Sequence, residues 1–163
     1  MKNCLKRLWV PLVLAVSVSC SWEMDPYEGG DGVRMNLNGE KCVMVGTPNS
    51  AYARYVSGEE YRFETAEIFM LQLLDNRSFT LVLKVTDTAP IVTAKTYPKG
   101  KAVLIYDDSH EQISLSGEVV FLETGEETEA CFDLSGTGAD GTRYEMRHGF
   151  LRLLTQTVEE AKQ

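Results

Sequence analysis

The densest group of potential ligands in the chain is Asp107-Asp108-Ser109-His110-Glu111. Its carboxylates could offer oxygens to a calcium-like ion, and Asp with His could hold a transition metal. The run lacks the regular ligand spacing and the central Gly of a calcium loop, and its composition is that of a polar hairpin connection. A solvated turn is expected there. The second histidine, His148, follows Tyr144-Glu145-Met146-Arg147 and precedes Gly149. As a general base it would need a nucleophile beside it, and the sequence holds neither a G-x-S-x-G elbow nor a C-x-x-C pair. His148 is expected at a strand end, facing solvent.

The remaining chemistry-bearing residues read in the same way. Gly29-Gly30-Asp31-Gly32 and the glycines from Gly136 to Gly141 are not followed by the Lys-Ser/Thr that a phosphate loop requires. The pairs Glu59/Glu60 and Glu126/Glu127 are sequence neighbours, and neighbours on a strand point to opposite faces, so they make poor acid–base pairs across a cleft. Tyr52, Tyr55, Tyr61, Tyr97, Tyr106 and Tyr144 could offer stacking platforms to a glycan, but tyrosine is also ordinary strand composition. No catalytic, cofactor-binding or metal-ligating residue is assigned, and a non-enzymatic protein is expected. Of the cysteines, Cys131 alternates with Ala130 and Phe132 and so shares the polar face with Glu129 and Asp133. Cys42 could face either way. If it points inward the two thiols cannot meet; otherwise an oxidising compartment would permit a bridge.

Most of these residues lie on or between strands. In Ser78–Thr86, Phe79, Leu81, Leu83 and Val85 fall on one face, a period that only a pleated strand produces. From Gln112 the pattern repeats, with Ile113, Leu115, Val119 and Phe121 inward and Gly117 at a bulge or bend. Shorter strands are expected at 33–37, 42–45, 52–56, 61–63, 102–106, 130–134, 144–147 and 150–154. Asn38-Gly39, Asp75-Asn76, Thr124-Gly125 and Ala139-Asp140-Gly141 supply hairpin turns, and Ser57-Gly58 separates two further runs. Thr65–Leu74 contains many helix formers, yet a strand with Phe69, Leu71 and Leu73 inward would complete a hairpin across Asp75-Asn76. The sum is an all-β domain, an antiparallel β-sandwich or lipocalin-like barrel of about 8–10 strands, spanning 33–156 with a tail at 157–163.

The N-terminus differs in kind. Lys2, Lys6 and Arg7 precede the apolar run Leu8–Val18, too short to span a bilayer and of the length found in signal peptides. Ser17-Val18-Ser19-Cys20 resembles a bacterial lipobox, with Ser17 where Leu is usual, and the small residues Ser17 and Ser19 would also suit an ordinary signal peptidase cutting just before Cys20. The expected organisation is a signal peptide at 1–19, a lipidated Cys20, and a polar Gly-rich tether to residue 32. Removing the signal leaves thirteen basic against 24 acidic residues, a formal net charge of −11. That sign argues against nucleic acid and against electrostatic adhesion to anionic lipid, so acylation is the expected membrane link.

The opening Met35-Asn36-Leu37-Asn38-Gly39-Glu40-Lys41, the element Ser116-Gly117-Glu118-Val119-Val120-Phe121 and the closing His148-Gly149-Phe150-Leu151 resemble small lipoproteins of unknown function common in Bacteroidota. Those proteins often carry an aromatic residue where this chain has Cys42. The resemblance implies a β-sandwich or lipocalin-like barrel on a lipid anchor and supplies no activity. Location in the cell envelope, at the outer membrane, and a binding role towards an envelope protein, a lipid or a glycan are the expectations. A carrier holding an apolar ligand inside a closed barrel is the alternative, with a carbohydrate-binding module or an envelope hydrolase behind it.

Overall fold

The computed structural model describes residues 32–47 and 50–159. The expected signal peptide, Cys20 and the tether to residue 31 lie outside the described residues, as do residues 160–163 of the expected tail. Ten strands carry the described chain: β1 (Gly32–Leu37), β2 (Glu40–Met44), β3 (Tyr52–Ser57), β4 (Tyr61–Thr65), β5 (Ile68–Gln72), β6 (Ser78–Asp87), β7 (Thr96–Tyr106), β8 (Gln112–Thr124), β9 (Glu127–Thr137) and β10 (Arg143–Glu159). No α-helix occurs among the described residues.

The ladders close on themselves. Following the hydrogen bonds gives the ring β1-β2-β5-β6-β7-β8-β9-β10, with β10 returning to β1. β4 and β3 join the lower half of β6 to the lower half of β10, completing the same wall at the other end. The result is a barrel-like sheet without a long free edge, a closure that removes sites for unwanted strand pairing. All ladders are antiparallel except β3 with β10, which is parallel. The reason is topological: β2 ends partway down the wall and β3 continues in the direction that β10 also takes.

One end carries four hairpin turns, β1–β2, β5–β6, β7–β8 and β9–β10. Asn38 and Gly39 both adopt positive φ, 53° and 83°, as a two-residue turn matching the strand twist requires. The opposite end carries the β3–β4 and β8–β9 turns and the β6–β7 loop.

Inward positions follow the expected alternation along β6 and β8: Phe79, Leu81, Leu83, Val85, Ile113, Leu115, Val119 and Phe121 are all buried. β5 is a strand, but its faces are the reverse of expectation. Ile68, Met70 and Gln72 point inward, while Phe69 and Leu73 are about half exposed. A bulge explains the inversion. Glu64 pairs with Lys84 and Ile68 with Leu81, so the 61–72 segment advances one residue more than β6. The Thr65 hydroxyl accepts the Leu83 amide at 3.0 Å where the ladder is interrupted. One extra residue moves every later side chain to the other face.

The same device operates in β10. The segments expected as strands at 144–147 and 150–154 form one strand, with an extra residue at Arg147-His148 relative to both β9 and β1. His148 has a positive φ of 54°, and its amide donates to Asp133 Oδ1 at 2.7 Å. β10 then runs on to Glu159, so its pairing with β3 reaches three residues past the expected domain boundary at 156.

Gly117 lies within β8 without a register shift against β9; the irregularity falls on the facing strand, between Tyr97 and Gly100. Cys42 points inward and Cys131 outward, both buried and unbridged. Burial pushes the Cys42 thiol up to about 12, which keeps it protonated and poorly nucleophilic.

Candidate functional site

The two histidines are not brought into a common centre. Asp107–Glu111 forms the β7–β8 turn, exposed except for half-buried Glu111, with the His110 amide donating to the Tyr106 carbonyl at 2.8 Å. Asp108 reaches sideways to Arg77 at 3.5 Å, and Arg77 stacks over the Tyr106 ring at 4.1 Å. No group of three or more His, Cys, Asp or Glu side chains suited to a metal ion occurs among the described residues. The tyrosines divide: Tyr97, Tyr106 and Tyr144 are buried, whereas Tyr52, Tyr55 and Tyr61 remain half-buried.

Tyr55 and Tyr61 meet at the end opposite the four hairpins. There a groove of about 380 Å³ opens between β3, β4, the β6–β7 loop, the β8–β9 turn and β10. Its apolar surface comes from Tyr55, Val56, Tyr61, Pro90 and Ile91, and its polar surface from Arg62, Ser57, Thr124 and Thr155. Strand alternation places Tyr55 on the half-buried rim of the core, since Val56 and Ser57 end the strand at the mouth.

The floor is a layer of rings. Phe63 lies edge-on to Phe121 with centroids 4.8 Å apart, Tyr97 meets Phe121 at 5.5 Å, and Tyr55 meets Phe63 at 5.4 Å. Edge-to-face and tilted pairs at these separations are mutually attractive. Beside them the Tyr55 hydroxyl bonds to Thr128 Oγ1 at 3.1 Å, and Thr128 bonds to Thr155 Oγ1 at 2.9 Å. This chain satisfies the Thr128 hydroxyl, which is fully buried. Burial pushes the Tyr55 phenol up to about 12, despite its bond to Thr128. It is therefore a neutral hydrogen-bonding group rather than a base.

One wall of the groove is the β6–β7 loop, residues 88–95, and its shape is imposed by specific contacts. Asp87 Oδ1 accepts the Thr88 amide at 2.7 Å, while Oδ2 pairs with Lys95. The Tyr97 hydroxyl accepts the Val92 amide at 2.8 Å, and the Ala94 amide donates to the Phe121 carbonyl at 2.9 Å. The Lys95 hydrogen bond, aided by the Thr88 and Ala89 amides, holds the Asp87 carboxyl below the usual carboxylate range. Stability from a depressed carboxylate is present above its unfolded value, near 3.9, and is lost as pH falls through the folded value. The Thr88 and Ala89 amide resonances are thus expected to titrate with a midpoint below about 3.9. Asp87→Asn should abolish that titration and raise exchange of the Ala89 amide; a midpoint at the free-aspartate value would show that the pair does not form.

Among the groove-lining residues there is no carboxylate, imidazole or thiol. The lining can hold a small ligand that combines an apolar body with hydrogen-bond acceptors, and it presents no nucleophile–base pair. The sequence signal for this site was the apolar Pro90-Ile91-Val92 within a connection, a segment that alternation leaves unassigned. Comparison with known proteins finds no family model that matches the chain, and no match among curated proteins or solved structures.

Proposed function

We propose that the chain is a lipid-anchored, non-enzymatic binding module of the cell envelope, held at the outer membrane through Cys20, with the groove at the barrel mouth as its ligand site. The observation that carries the binding role is the groove itself: apolar rings and hydroxyls around a guanidinium, with no group able to act as general base at neutral pH. The short spacing from the apolar run to Cys20, and the likeness to small Bacteroidota lipoproteins, support the anchor.

Two measurements test this reading. The intact mass of protein extracted from its own membranes should equal residues 20–163 plus acyl groups, and an unmodified mass would remove the anchor. A thermal-shift screen of short glycans and amphipathic lipids should yield a stabilising compound whose effect is lost in Tyr61→Ala. A compound that is chemically converted, or one that binds Tyr61→Ala equally well, would overturn the binding assignment.

A further inference from the structure

The bulge in the 61–72 segment turns a row of large apolar side chains to the outside. Of the eight large apolar residues exposed among those described, five belong to β2, β5 and their immediate extensions: Val43, Val45, Phe69, Leu73 and Leu74. They are contiguous in the ladder. Val43 pairs with Leu71, the Val45 amide bonds to the Phe69 carbonyl at 2.8 Å, and Leu73 bonds to Lys41. The face continues sideways. Phe69 neighbours Thr80, which neighbours Ile105, and Val82 neighbours Val103. Thr80 is buried although it points outward. Contiguous exposed apolar surface on a soluble domain marks an interaction site.

Lysines stand beside this face, and a row of five carboxylates lies on other strands of the barrel. Lys41, Lys84 and Lys101 border it, the last two directly opposite each other in the ladder. Glu118, Glu123, Glu127, Glu129 and Asp133 stand on β8 and β9. β9 is four strands from β5 in either direction around the ring, on the opposite wall. That acidic row lies away from the apolar face, while Glu40, Glu64, Glu67 and Asp75 stand around the face itself. The surface is also the convex outside of a barrel. A second copy of this chain would touch it along a narrow strip, whereas a deformable partner can cover it. Finally, β1 begins at Gly32 beside Met44 of β2, at the border of the face. Eleven residues separate Gly32 from Cys20. They reach at most about 40 Å when extended, so an anchored barrel stays close to the bilayer.

We propose that the outer face of β2, β5, β6 and β7 rests in the headgroup region of the membrane to which Cys20 tethers the chain, with the β8–β9 carboxylates turned towards water. The proposal rests on the reading of Cys20 as a lipid anchor. It makes adhesion a property of one apolar face and the lysines beside it, not of the net charge.

The test uses the acylated chain reconstituted in phosphatidylethanolamine–phosphatidylglycerol vesicles, some carrying brominated acyl chains, in a Trp22→Phe background. Phe69→Trp should shift its emission to the blue on reconstitution and lose at least half its intensity to the brominated lipid. Ser135→Trp, on β9 of the opposite wall, should do neither. Unquenched Phe69→Trp on vesicles that still float with the protein would overturn the proposal and leave the anchor standing. A blue shift of Phe69→Trp that appears without vesicles and grows with protein concentration would assign the face to a second copy instead, and would also overturn it. Failure of the wild-type chain to float with vesicles would overturn the anchor reading, and the proposal with it.

Discussion

Gly117→Ala is expected to destabilise the domain by about 3 kcal/mol and to lower its thermal midpoint by roughly 10 °C. A Cβ at this position would stand 2.2 Å from the Asp133 carbonyl oxygen and 3.0 Å from the Leu134 Cα. Both obstacles are backbone, so no rotamer change relieves them. Gly117 pairs with Gly100 across β7, and Gly136 of β9 is similarly tight, with 2.2 Å from a Cβ to the Ser114 carbonyl. These three strands bend together, and the missing side chains let their backbones approach inside the curve. Gly125→Ala is the matched control, because nothing lies within 4 Å of a Cβ there. Its effect is expected within about 0.5 kcal/mol. Equal midpoints for the two variants would mean that β8 and β9 do not approach so closely.

Phe121→Ala should cost about 4 kcal/mol, the usual range for removing a buried aromatic ring. Phe121 is fully buried and its ring meets those of Phe63, Tyr97 and Tyr55, at 4.8, 5.5 and 6.3 Å. Denaturant titration gives the loss directly. The variant also discriminates between functions. With the Phe121 ring seated among Phe63, Tyr97 and Tyr55, truncation opens a dry aromatic cavity beneath the groove, and benzene or xenon should stabilise Phe121→Ala while leaving the wild type unmoved. A wild-type protein stabilised equally by such probes would favour a carrier with space inside the barrel.

The elements most easily read from the sequence are those in which a single physical requirement decides the outcome. Phe79, Leu81, Leu83 and Val85 are inward because a strand closing a core has period two, and Asn38-Gly39 turns the chain because both residues tolerate positive φ. What alternation could not supply is its own phase after an inserted residue. Phe69 and Leu71 look like core residues by hydrophobicity, and only the pairing of Ile68 with Leu81 reveals that the bulge has put them outside. The Arg147-His148 bulge hid the continuity of β10 for the same reason. The groove was less accessible still. Tyr55, Ile91, Gly125 and Thr155 come from four separated segments, and their meeting depends on ring closure, which no local pattern encodes. The tyrosines show the limit clearly: Tyr61 and Tyr106 are equivalent as strand residues, yet one borders the groove and the other stacks under Arg77.

The parallel pairing of β3 with the end of β10 bears on how the molecule is made. Tyr52 finds its partner at Leu154, and Gly32 at Arg152, so both early strands wait for the last segment to emerge. Until then β1 and β3 present unsatisfied backbone amides and carbonyls. Contacts of such sequence separation slow folding, because the loop entropy is lost before the ladder forms. A chain that cannot close before its end is available stays threadable for as long as it is incomplete. Under the proposed export, this would suit passage across a membrane before the barrel assembles. It also makes the last strand the latch of the barrel: a chain ending before Leu154 would leave β3 without its β10 partner.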